Sequence, residues 1–201
     1  MRSRLPKLLG AALMVSLGAL AALAPAQQGS SLKTPLQIKY VARPAGMKWS
    51  KDHARAFFNT NIGSFKIMAN DETPTEGTLD MVFHGTVLLS NLEPGSTLVL
   101  TGNVRKEIDD KEFKRQVFFG DGRITICGKF RSVQFFGKGL RAAFDGFGYA
   151  RLYGEFDRNL ETGFYWLEGT DPVAWSTGGS PLYIPAVGSV KPKVRIEGRG
   201  G

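Results

Sequence analysis

The chain has 201 residues, 42% of them apolar, so it can build a packed core and is not a disordered polyelectrolyte. Its one cysteine excludes an internal disulfide, and its two histidines leave little from which to assemble a zinc site. The formal charge of +8 is concentrated unevenly, with three basic residues and no acids in the first 26 positions.

Arg2, Arg4 and Lys7 precede an apolar run from Leu8 to Leu23, and the small residues Ala24-Pro25-Ala26 lead into polar Gln27-Gln28-Gly29-Ser30. A positive start, a short apolar stretch and a small-residue junction form the pattern of a secretory signal peptide over residues 1–26. The run is shorter than the ~20 residues that span a bilayer, which favours cleavage over a retained anchor. Cys127 is far from the junction, so no lipoprotein anchor is expected. Cleavage lowers the formal charge to +5 and leaves 175 residues, enough for one domain in the periplasm, the extracellular space or at the cell surface. A surplus of this size in an exported chain points to an envelope glycan or lipid headgroups as partners, and away from nucleic acid.

Residues 27–35 are polar and expected to be flexible, and 36–169 are expected to form a β-rich domain. Leu36 to Val41 alternates apolar and polar residues, the period of a half-buried strand. Arg43 to Gly46 reads as a turn, and Ser50 to Phe58 as either a short capped helix or a strand. Gly63 to Ala69 reads as a strand, and Asn70 to Gly77 as a loop. Met81 to Ser90 and Thr97 to Val104 are apolar and β-branched, and Pro94-Gly95 between them predicts a hairpin. Lys106 to Arg115 reads as a charged connection. Cys127, in the strand-like Ile124 to Cys127, is expected as a small buried residue.

Gly85, Gly102, Gly120, Gly137 and Gly154 recur at intervals of 17, 18, 17 and 17 residues. The fold class expected is all-β: an antiparallel β-meander of long bent strands forming a sandwich-like or jellyroll-like sheet. A solenoid with one rung per period is the competing reading. Residues 170–201, with Pro181, Pro185, Pro192 and a glycine-rich end, read as an extended Pro/Gly-rich tail.

No nucleophile elbow, phosphate loop or dinucleotide glycine fingerprint is present, so no catalytic residue, cofactor or metal is expected. Asp80 and His84 share a strand face and form the best local acid–histidine pairing. Glu155 with Asp157, and Glu161 with Glu168, are the carboxylate pairs from which a glycan hydrolase would be built. From Leu140 to Asp157 the even positions are small or apolar and the odd ones carry rings and charge; pleating places the two sets on opposite faces. Arg141, Phe147, Tyr149, Arg151, Tyr153 and Glu155 are therefore the candidate ligand-binding residues, with rings to stack on sugars and guanidiniums to hold an anion. The competing reading makes the same rings a core edge from which Arg151 reaches out. Phe164-Tyr165-Trp166 and Trp175 are expected to form a lid or plug.

Phe83-His84-Gly85-Thr86-Val87 and Leu100-Thr101-Gly102-Asn103-Val104 are similar to the G-x-V turns of OstA-like periplasmic proteins. Those proteins carry lipopolysaccharide between membranes on an open, many-stranded β-jellyroll. The resemblance implies an open apolar groove, here lined by Leu98, Leu100, Phe144 and Leu152, and transfers no functional residues.

The function expected is that of a non-catalytic envelope protein, a β-sheet scaffold or binding module for an envelope glycan or anionic ligand. Lipid carriage and glycan hydrolysis are the alternatives. Self-association through sheet edges stays open. An outer-membrane barrel fits poorly, because Arg123, Lys129, Arg131, Arg141 and Arg151 recur through the best strands.

Overall fold

The computed structural model describes residues 32–39, 45–69, 73–153, 163–175 and 181–186. Five long strands dominate: β1 (Ala54–Met68), β2 (Thr75–Ser90), β3 (Thr97–Asp110), β4 (Arg115–Phe130) and β5 (Ser132–Tyr153). Three short ones follow: β6 (Gly163–Leu167), β7 (Val173–Ala174) and β8 (Leu182–Ile184). All belong to one sheet, nearly all antiparallel, in the order β3-β4-β2-β5-β1-β6-β7, with β8 on β5.

That order corrects the meander. β5 stands between the consecutive strands β1 and β2, and β4 stands between β2 and β3. Met81–Ser90 and Thr97–Val104 are therefore not a hairpin; both pair with β4, one on each side. A solenoid fails for the same reason, since its successive rungs would lie side by side. The true hairpin joins β3 to β4. Lys106 to Asp110 continue β3, and only residues 111–114 turn, closed by the Phe113 amide donating to Asp110 Oδ1 at 3.0 Å.

The glycine cadence has a spatial meaning. Gly63, Gly137, Gly85 and Gly120 are successive register partners across β1, β5, β2 and β4, and Gly102 meets Gly122 on β3. At Gly85 the φ of 151° suits glycine alone, and an added Cβ would lie 2.2 Å from the Phe136 carbonyl oxygen. Backbones approach this closely because the sheet bends along the glycine line.

The bend is large. Residue numbers rise along β1 and fall along β5, with Ala54 opposite Gly146 and Met68 opposite Ser132; Met68 also lies opposite Tyr149, on its other edge. Gly146 and Tyr149 are three residues apart and so within roughly 11 Å. The two ends of β1 are thus near each other, although fourteen extended steps would separate them by roughly 46 Å. β4 shows the same curl: the amides of Asn91 and Glu93 donate to the carbonyls of Lys114 and Lys129, one at each end of that strand.

The core lies inside the curl. Phe58 and Phe65, on either side of Gly63, stack with ring centroids 5.1 Å apart, and Phe83 meets Phe135 at 6.0 Å. Leu79, Met81, Ile124, Ile126, Phe130, Phe144 and Leu152 are among the side chains packed around them. Trp175 and Ile184, from the stretch expected as a tail, are also buried there; residues 187–201 lie outside the described part. Of the expected strand Leu36 to Val41, Leu36 to Lys39 join no strand and residues 40–41 lie outside the described part; Ala54–Phe58 open β1 and form no helix.

Candidate binding face

The glycine line divides the outer surface of the sheet into two halves. On the near half, which carries Ala54 to Ile62 of β1, the segment 32–39 crosses the strands as a strap. Leu32, Leu36 and Ile38 cover Phe57, Ala143, Phe164 and Trp166. Sheet side chains satisfy the strap's backbone. Asn59 Nδ2 donates to the carbonyls of Leu32 (2.7 Å) and Thr34 (2.9 Å), Arg141 to that of Thr34 (2.8 Å), and Arg123 to that of Gln37 (3.0 Å). The Lys39 amide donates to Asp80 at 2.6 Å. Asp80 is fully buried and also accepts from Arg123 Nε (2.7 Å) and the Thr125 hydroxyl (3.1 Å). Its hydrogen bond raises the Arg123 pKa against the opposing effect of burial.

A second polar network ends the near half. Glu76 accepts from the Ser50 amide (2.6 Å), the Ser50 hydroxyl (2.9 Å) and the Lys51 amide (2.7 Å), with Lys129 Nζ at 3.6 Å and His53 Nε2 at 3.7 Å. Burial alone would raise its pKa; the Ser50 hydroxyl, the two amides and the Lys129 charge outweigh burial and hold it below the ordinary 4.5. Asp145 pairs with Arg55 at 3.3 Å, and Arg55 with Glu168 at 2.7 Å. These carboxylates are committed to holding backbone and strands together. Among the described residues no three metal-ligating side chains converge, and no helix is long and apolar enough to cross a membrane.

Among the described residues, none crosses the far half, which is the bare face. Cross-strand register builds a row Arg105–Phe119–Thr86–Phe136–Ser64–Tyr153 across β3, β4, β2, β5, β1 and the returning end of β5. Phe119, Phe136 and Tyr153 are 43%, 47% and 38% exposed. Every second strand contributes a ring, a spacing of roughly 10 Å. The next row is Ile108–Val117–Leu88–Gln134–Lys66–Arg151, and the one after it ends Met68–Tyr149–Tyr183. On the other flank Ile62 stands opposite Lys138 at the bend.

The structure divides the sequence-derived candidates. Tyr149, Arg151 and Tyr153 lie together on the bare face, with Arg151 6.0 Å from the Tyr149 ring. Arg141 lies under the strap, and Phe147 sits beneath Lys51 (5.8 Å) beside the Glu76 network. Glu155, and with it Asp157 and Glu161, lies outside the described residues. Asp80 and His84 do not pair with each other: four strand steps separate them by roughly 13 Å, and His84 instead faces Asp121 at 3.6 Å. Phe164 and Trp166 pack beneath the strap. Sequence reading missed Phe119, Phe136 and Lys66. Each sits at an outward position of a period-two strand, but only the register shows them to be neighbours.

No known protein family, curated protein or solved structure matches this chain.

Proposed function

We propose that this chain is an exported, non-catalytic protein of the cell envelope, and that its curled, sandwich-like sheet serves as a binding module for an envelope glycan or anionic ligand. One observation carries the reading. The near half of the sheet is covered by its own chain, whereas the far half presents Phe119, Phe136 and Tyr153 in a row beside Lys66 and Arg151. An exposed apolar patch with a polar rim marks an interaction surface. Export is supported by the signal pattern of residues 1–26, and the absence of catalysis by the structural work that Glu76, Asp80 and Asp145 already perform. Lipid carriage in a groove gains no support at the residues that would line it, because Phe144 and Leu152 are packed in the core and Leu98 and Leu100 lie half-buried against it.

Two measurements test the reading. Amino-terminal sequencing of the secreted product should begin at Gln27; a product retaining Met1 and its apolar run would remove export. The purified exported chain should co-sediment with envelope fragments, and Phe136→Ala with Arg151→Gln should release it. Equal sedimentation of wild type and variant would remove the bare face as the site.

A further inference from the structure

We infer that the bare face docks on an anionic lipid leaflet, so that the ligand of the binding module is the membrane surface itself. The inference rests on the binding-module reading above and names its partner. Composition decides between lipid and glycan. A sugar chain needs rings to lie upon and side chains to hydrogen-bond its hydroxyls, and it gains little from isolated aliphatics. This face exposes Ile108 (53%) beside Phe119 and Phe136, while Ser64, Thr86 and Gln134 are the uncharged polar side chains of its two central rows and Ser64 is buried. A bilayer interface accepts any apolar side chain and favours tyrosine at the headgroup level. Tyr149, Tyr153 and Tyr183 occupy that margin of the face.

Charge points the same way. Lys66 and Arg151 have no carboxylate partner among the described residues, Lys138 stands at the bend in the row of His84 and Asp121, and Arg115 leans on Phe113 at 5.6 Å. The acids are marginal or already engaged: Asp121 faces His84 at one flank, Asp110 accepts from the Phe113 amide at the other, and Glu107 holds Arg105. Unpaired cations around exposed apolar side chains complement anionic headgroups, whose attraction falls with salt. At the β3–β4 turn Phe113 is 62% exposed, with Lys114 and Arg115 after it; Lys111 there is held by Asp109 at 2.8 Å, and exposed Glu112 adds an acid beside the ring.

The test uses the exported chain with vesicles of phosphatidylethanolamine and phosphatidylglycerol, against vesicles of phosphatidylcholine alone. Binding to the anionic vesicles is expected, with little to the neutral ones. Phe119→Ser and Phe136→Ser should each weaken it about tenfold, and Lys66→Gln and Arg151→Gln about fivefold each with a shallower salt dependence. Lys48→Gln, an exposed lysine outside the bare face, should change nothing. Thermal melts matching wild type show that the variants are folded. Equal binding to neutral vesicles, or equal binding by the variants, overturns the inference. Retention on a soluble acidic polysaccharide without vesicle binding, lost in the same variants, overturns the membrane assignment and leaves the binding module standing. Retention on neither removes both.

Discussion

Asp80 and Glu76 point outward from β2, yet both are buried, because strap and loop backbone close over them. Removing one partner of such a pair strands the other. Asp80→Asn should destabilise the fold by about 3 kcal/mol, read from denaturant midpoints, and Asp80→Leu combined with Arg123→Met should recover a good part of that loss. Glu76 adds a pH dependence whose sign is set by its lowered pKa. Its stabilisation is complete above its unfolded value, near 4.5, and drains away as pH falls through the lower folded value. Melting temperatures measured on the acid side should therefore fall for wild type and fall less for Glu76→Gln. None of these partnerships was legible in the sequence. The i, i+4 spacing of Asp80 and His84 is real, but Asp80 finds Arg123 43 residues away, a distance that local patterns do not encode.

The strands themselves were largely legible, because period two survives wherever one face meets the core: Leu140, Ala142, Phe144, Ala150 and Leu152 point inward as the alternation predicts. Their order was not. Pro94-Gly95 turns the chain, but into a loop that crosses the curl of β4 and so lets that strand stand between β2 and β3. The glycine cadence was visible as a repeat, and its cause is register: Gly85, Gly120 and Gly137 mark where their strands cross the bend, Gly102 lies two residues from that line, and Gly154 lies outside the described residues. Gly85→Ala should cost about 3 kcal/mol or more, because a Cβ meets backbone and cannot be relieved by a rotamer change. Gly95→Ala has a left-handed φ but open space, and should cost about 1–2 kcal/mol. Comparing the two denaturant midpoints separates close approach from backbone strain. At the end of the sheet, the charges of β3 from Arg105 to Asp110 discourage another strand from pairing there.

As a whole, the molecule builds its core from strands distant in sequence, β1 on β5 and β2 on β4 and β5. Chain must be closed into large loops before these contacts form, so refolding monitored by the fluorescence of buried Trp166 and Trp175 should take milliseconds to seconds. Microsecond refolding would contradict the topology. The candidate face was half legible: alternation in β5 exposed Tyr149, Arg151 and Tyr153, but the bend that parts them from Arg141 and Phe147, and joins them to Phe119 and Phe136, exists only in three dimensions.

The strap gives the chain an order in time. Leu32 to Lys39 leave the ribosome before any strand, yet the side chains that fasten them come from Asn59, Asp80, Arg123 and Arg141. Their apolar cover is later still, since Phe164 and Trp166 belong to β6. Through most of synthesis the opening segment has no place to bind. Of the described residues, those made first are those that settle last, and a chain stopped before β5 would leave that segment open to protease however much of the sheet had formed.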